Sequence, residues 1–206
     1  MTASGPAPVR FYFDFISPFG YFASLRIDAL AARYGRQVEW TSMLLGISVL
    51  KVMKIPAIVD LPLKGAYVIR DAKRYARQNG VEFQRPEAAP ASRPVEAGRL
   101  FAWAKACDPP RSKLVTAAIY RSYFVDGRDI AEPAVLRECC VGAGLDWQAY
   151  EAARESGEAS QLLRRNVDES IAAGVFGSPF FIVDGEPFFG VEKLSVVEEW
   201  IASGGW

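Results

Sequence analysis

Val9, Phe11, Phe13 and Phe15 alternate with Arg10, Tyr12 and Asp14. A period of two with this aromatic content predicts a strand over VRFYFDF. From Pro18 the period lengthens, and Phe22, Leu25, Ala29 and Ala32 recur at helical spacing as far as Gly35. QVEWTSM then predicts a second strand. A β-α-β unit within about forty residues favours parallel strands joined by a right-handed crossover.

The C-terminal end carries a second set of elements. SQLLRRNVDESIAAG predicts a helix with Leu163, Val167 and Ile171 on one face and Gly174 as its stop. PFFIVDGEPFFG holds two short apolar runs around Asp184-Gly185, a strong local hairpin signal. VEKLSVVEEWIASGG predicts a last helix with Leu194, Val197 and Ile201 inward and Gly204 after it. Between these ends, AYVIRDAKRYARQNG, VEAGRLFAWAKAC, KLVTAAIYRSYFVDG, PAVLRECCVGAG and DWQAYEAARES all have helical character, and RPEAAPASRP is a Pro/Ala loop. The expected fold class is α/β: a thioredoxin-like domain of residues 1–45 plus 165–206, with an α-helical domain of residues 46–164 inserted into it.

Composition narrows the functional classes. Half of the 206 residues are hydrophobic, enough for a sizeable core, and the formal net charge is zero. There is neither a basic excess nor a basic stripe, so a nucleic-acid binder is not expected. No apolar run is long enough to span a membrane, and MTASGPAPVR lacks a signal pattern, so the expectation is a soluble cytoplasmic protein. The chain has no histidine, which removes Ser-His-Asp triads, Cys-His pairs and histidine metal sites; no metal is expected. Of the three cysteines none forms a C-x-x-C pair, and adjacent Cys139 and Cys140 lie on a predicted helix as small hydrophobes.

Four stretches carry candidate chemistry. In FDFISPFGYF, Pro18 suits the first helical position, which makes Ser17 the N-cap. A helix start is also a positive pole with spare N–H groups, where a thiolate supplied by a small thiol is stabilised and Ser17 can donate its O–H to the sulfur. In GVFGSPFFIVDG, Pro179 opens a strand, either as an ordinary trans residue or in a cis bond that presents the backbone of Ser178 to an extended peptide. In PFFGVEKL, the N–H groups after Gly190 can hold a carboxylate and Glu192 an amine, or Glu192 only answers the helix dipole. Lys51, Lys54 and Lys64, spaced by apolar residues and prolines, are either solvent-facing or the mouth of a site for an acidic substrate.

FYFDFISPFGYFAS, LLG…PLKGAYVIRD, YFVDGRDIAEPAVL and AGVFGSPFFIVDGEPFFGVEKL occur in one order over nearly the whole chain. On them the chain resembles the 2-hydroxychromene-2-carboxylate isomerases and the related kappa-class glutathione transferases, DsbA-like thioredoxin proteins with a helical insertion. The resemblance implies bound glutathione as cofactor. It makes Ser17 the catalytic residue facing the sulfur, with Phe19, Ser178, Pro179, Gly190, Val191 and Glu192 as further glutathione-binding positions. Lys51, Lys54, Lys64 and Tyr67 become candidates for binding a small aromatic carboxylate, with Phe19, Tyr67 and Trp103 as aromatic walls. The family pattern has a polar residue and an Asp where this chain has Val191 and Glu192, and an Asn after LLG where this chain reads VLKVMKIPA. Either Lys51 or Lys54 fills that place, or the substrate differs. The implied activity is a glutathione-dependent isomerase of aromatic degradation, working as a homodimer. The alternatives are a kappa-type glutathione transferase and a redox-silent binding protein.

Overall fold

The computed structural model describes residues 6–86 and 92–206. Residues 87–91 of the expected Pro/Ala loop lie outside this set. Four strands form one mixed sheet in the order β2-β1-β3-β4. Strand β1 (Val9–Phe13) runs parallel to β2 (Val38–Ser42), with Phe11 opposite Trp40. It runs antiparallel to β3 (Phe180–Val183), with Phe11 opposite Phe181. Strand β4 (Glu186–Phe189) returns antiparallel through Asp184-Gly185, both at positive φ as a two-residue hairpin requires. Arg36 locks this hairpin to the start of β2: its guanidinium donates to both oxygens of Asp184 at 2.7 and 2.8 Å, which holds that carboxyl below its usual range.

The alternation read in β1 is real, but both faces are covered. Phe11 and Phe13 enter the main core, with Phe11 ring centroids 5.0 Å from Trp40 and 5.4 Å from Phe181, and Phe13 5.0 Å from Phe101. Removing a ring such as Phe13 from this core costs about 3–5 kcal/mol. On the other face Tyr12 packs with Met43, Val175, Phe180 and Ile182.

The strand stops at Phe13, two residues short of the expected end, because Asp14–Ser17 turn into the first helix. That helix is not continuous to Gly35. It splits into α1 (Pro18–Ser24) and α2 (Ile27–Ala32), broken at Leu25-Arg26. Leu25 is half exposed, Ala29 and Ala32 face solvent, and Ile27, Leu30 and Ala31 are buried instead. The break rotates α2 so that this second apolar set reaches the core.

After β2 comes α3 (Leu45–Ile47), which continues as a π-helical turn over Ser48–Val52, and then a 3-10 turn at Ile58–Asp60. Six longer helices follow: α4 (Lys64–Asn79), α5 (Val95–Cys107), α6 (Pro109–Phe124), α7 (Pro133–Gly142), α8 (Trp147–Glu155) and α9 (Glu158–Ala172). Proline at the first position and Asp108 as cap, accepting from the Arg111 amide at 3.0 Å, start α6. The main core runs from the sheet through Leu100, Phe101, Ile119 and Tyr120 of these helices. Residue 165 lies inside α9, whose Leu163 and Val167 are buried with Leu44 and Ala102. A 3-10 turn (Val191–Lys193) leads into the last helix, α10 (Leu194–Ser203), with Leu194 and Val197 inward. The result is an α/β fold, a thioredoxin-like mixed sheet with a helical insertion.

Candidate functional site

Ser17 sits just past the carboxyl end of β1 and caps α1. Its Oγ accepts from the Gly20 amide at 3.1 Å and donates to the Ser178 carbonyl at 2.9 Å, and the residue is 5 % exposed. The cap expected from the sequence is therefore present, and the hydroxyl proton has a protein acceptor. Within the first turn, the Gly20 and Tyr21 amides are taken by Ser17 itself, and Pro18 has none. The Phe19 amide is the first-turn donor for which the described residues supply no acceptor. The Phe19 side chain is partly buried, 6.0 Å from the Phe22 ring.

Ser178-Pro179 is a cis peptide. Ser178 is held from both ends: its Oγ accepts from the Asp14 amide at 3.0 Å, and its carbonyl accepts from Ser17. The Pro179 carbonyl accepts from Gly190 N at 3.1 Å, which brings the Gly190-Val191-Glu192 turn alongside. Gly190 adopts φ 105, and a Cβ there would meet the Glu192 carboxylate at 2.3 Å, so only glycine lets Glu192 fold back over the turn. Val191 is buried. Ser17, Ser178, Pro179 and Gly190 are thus joined through two hydrogen bonds and the cis peptide bond between them.

Three residues that no sequence motif singles out also build this cluster. Asp14 looked like one polar position of an alternating strand. In the structure it is fully buried; Oδ1 accepts from Ile16 N at 3.0 Å and Oδ2 from Leu45 N at 2.7 Å. Burial pushes its pKa up to about 6, while the two amide bonds pull the other way. Tyr120, from α6, donates to the Asp14 carbonyl at 3.1 Å and is also fully buried. Gly20 is where α1 passes this group: a Cβ would stand 2.6 Å from Ser178 Oγ and 3.0 Å from Tyr120 Oη. The available signal was a charged residue between Phe13 and Phe15, directly before a Ser-Pro helix start.

The second candidate set is organised differently. Lys51, Lys54, Lys64 and Tyr67 are all exposed, and no hydrogen bond or ion pair joins them to the Ser17 cluster. They lie among exposed Leu50, Val52, Met53, Ile58, Val59 and Leu63. Lys54 and Leu63 have positive φ, and Lys64 N donates to Pro62 O at 2.8 Å, closing a strained γ-turn that points Leu63 outward, 93 % exposed. Trp103 is not a wall of this region. It is buried between α5 and α8, 5.5 Å from Tyr150, because its helix turns that face inward.

A cleft of about 330 Å³ lined by Pro8, Gln37, Glu39, Trp40, Lys105 and Lys113 lies at the amino ends of β1 and β2, the opposite end of these strands from Ser17. Among the described residues no helix is long and apolar enough to cross a membrane, and no His/Cys/Asp/Glu group could hold a metal. Cys139 and Cys140 are buried and unpaired, and burial raises both thiols, Cys140 to about 11, so neither is a ready thiolate.

Comparison with known proteins gives the family and the fold. Residues 8–202 match the family model described as DSBA-like thioredoxin domain. A 2-hydroxychromene-2-carboxylate isomerase of Sphingobium xenophagum is 27 % identical over 194 residues, covering 94 % of this chain and 97 % of the relative. Glutathione s-transferase kappa 2 of Caenorhabditis elegans is 24 % identical, covering 94 % and 91 %. A solved 2-hydroxychromene-2-carboxylate isomerase superposes with a TM-score of 0.78 at 23 % identity, over 95 % of this chain and 94 % of the other. The chain belongs to the DSBA-like thioredoxin domain family.

Proposed function

We propose that this member of the DSBA-like thioredoxin family is a glutathione-dependent isomerase of the 2-hydroxychromene-2-carboxylate type, acting in the cytoplasm on a small aromatic carboxylate in aromatic degradation. The observation that carries the reading is the pairing of Ser17 with the Ser178 carbonyl at the start of α1, in a chain with no histidine and no cysteine in that turn. With neither a general base for a serine nucleophile nor a redox pair, the turn is suited to holding a sulfur that another molecule brings.

The residues present fit glutathione. The Phe19 amide and the Ser17 hydroxyl are donors at the positive pole, where an anionic sulfur is favoured and its pKa lowered. Ser17 O–H turns from the Ser178 carbonyl to the ligand, and that carbonyl is then open to an incoming peptide N–H, as in strand addition. The Gly190 turn offers Val191 and Glu192 backbone N–H groups to a carboxylate and the Glu192 carboxylate to an amine. When bound, glutathione supplies a sulfur nucleophile that adds to a conjugated acceptor and is later eliminated, leaving the former double bond free to rotate in between. Ser17 holds the sulfur in register for both passages, and Lys51 or Lys54 meets the acceptor's carboxylate or developing enolate. The family carboxylate pocket is met here by Glu192 and Val191, so the amine contact comes from a longer acid and the side-chain contact at 191 is lost.

The test is turnover of 2-hydroxychromene-2-carboxylate with glutathione, following product and free thiol together. Product formation with thiol conserved is the expected result. Net loss of thiol to an electrophilic halide would instead favour the kappa-type transferase named among the relatives. A protein whose thermal unfolding glutathione leaves unmoved would exclude both.

A further inference from the structure

Asp14 is an acidic residue placed behind Ser17, and it joins the β1–α1 turn, the start of α3, Ser178 and Tyr120. Its Oδ1 binds the Ile16 amide of the β1–α1 turn and its Oδ2 the Leu45 amide at the start of α3. Its backbone N–H reaches Ser178 Oγ, and its backbone carbonyl accepts from both Ser17 N at 3.0 Å and Tyr120 Oη. Among the described residues no cation offsets its burial. Placing a lone carboxylate in a dry core is costly, and the Ile16 and Leu45 amide bonds favour the charge without outweighing that cost. A carboxylate offers each N–H an acceptor oxygen, whereas the neutral acid has one proton to place among those same two oxygens.

We propose that Asp14 is a positioning residue whose ionised carboxylate clamps the turn bearing Ser17 to the turn from which the 45–67 segment springs, so that the sulfur pole and the acceptor segment keep their spacing only while Asp14 is charged. This rests on the functional reading above for what the two turns do, not for their coupling. The titratable group facing Asp14 is Tyr120 of α6; burial pushes its ionisation well above the ordinary value, so it stays a neutral donor. Asp14 titrates from about 6 in the fold against 3.8 in the open chain. The fold therefore takes up a proton between those values. Stability from this group is fully present below the lower value and is lost as pH rises through about 6. The two amide bonds strengthen as Asp14 ionises, since they pull its ionisation down, while burial of the charge costs the fold more than they return.

The full chain labelled with ¹⁵N tests this without any variant. The Ile16 and Leu45 amide resonances are expected to titrate together, with one midpoint near 6. Exchange protection across 45–60 should rise through the same midpoint. With glutathione saturating, turnover of hydroxychromene carboxylate should fall about tenfold per pH unit below it. In Asp14→Asn, which keeps one acceptor oxygen, turnover should be low and lack that inflection. Separate midpoints for the two amides, a shared midpoint at the ordinary Asp value of about 3.9, or a wild-type pH profile in Asp14→Asn would overturn the inference. Amides that titrate together in a protein that glutathione does not stabilise would uphold the clamp and sink the functional reading. A glutathione-stabilised protein whose amides do not share a midpoint would do the reverse.

Discussion

The Ser17 turn and the 45–67 segment form the two sides of the proposed site and are built on opposite terms. At the turn, Ser17, Ser178, Asp14 and Tyr120 are buried, and each has a side-chain oxygen in a hydrogen bond with a backbone group. In the segment, Leu50, Val52, Ile58 and Leu63 are exposed, two non-glycine residues have positive φ, and Lys51, Lys54 and Lys64 project into solvent. The difference separates two tasks. Holding a sulfur at a helix start requires a fixed geometry that hydrogen bonds can set in advance. Receiving an apolar acid requires surface that is left uncovered until the acceptor arrives, and its exposure is the cost.

Breaking the fixed side should have the largest effect. Ser17→Ala removes the donor to sulfur and should lower turnover by about a hundredfold or more, in the range for loss of one preorganised donor. The fold should survive, since the lost cap is worth about 1 kcal/mol. Steady-state kinetics with a thermal melt checks both, and unchanged turnover would refute the role of Ser17. Charge removal on the open side should act more weakly. Lys51→Ala with Lys54→Ala should raise KM for the carboxylate substrate about tenfold, with stability within about 0.5 kcal/mol of wild type because neither side chain is packed. An unchanged KM would remove both lysines from the acceptor site. The smallest effect runs the other way. Leu63→Gly relieves the positive φ of the γ-turn and should stabilise by about 1 kcal/mol, a rise in Tm of about 2–4 °C. A lower Tm would mean that the exposed leucine is packed in solution, against this view of the segment.

Legibility in the sequence followed the same division. The strand phase of β1, the Asp184-Gly185 hairpin and the Ser17-Pro18 helix start are local signals, and each is found where the pattern predicts. The thioredoxin arrangement with a helical insertion follows from their order. The split of α1 from α2 was hidden because Phe22, Leu25, Ala29 and Ala32 fit an unbroken helix, while the competing set Ile27, Leu30 and Ala31 wins only once a core exists to receive it. Asp14 was misread for a related reason. Alternation assigns a residue to a face, but it does not say whether helices cover that face. The contact that seals Asp14 comes from Tyr120, more than a hundred residues away, and no local period carries it. The lysines could be named as candidates from their spacing, yet nothing in the pattern separates solvent-facing from substrate-facing, and in the structure they are exposed.

The central claim is that the α1 start receives a sulfur rather than attacking a substrate itself. A crystal structure of the protein with glutathione tests it most directly. The account predicts the cysteinyl sulfur within hydrogen-bond reach of Ser17 Oγ and the Phe19 amide, with the cysteinyl N–H on the Ser178 carbonyl in place of the Ser17 hydroxyl. Glutathione bound elsewhere, with the bond from Ser17 to Ser178 intact, would contradict it.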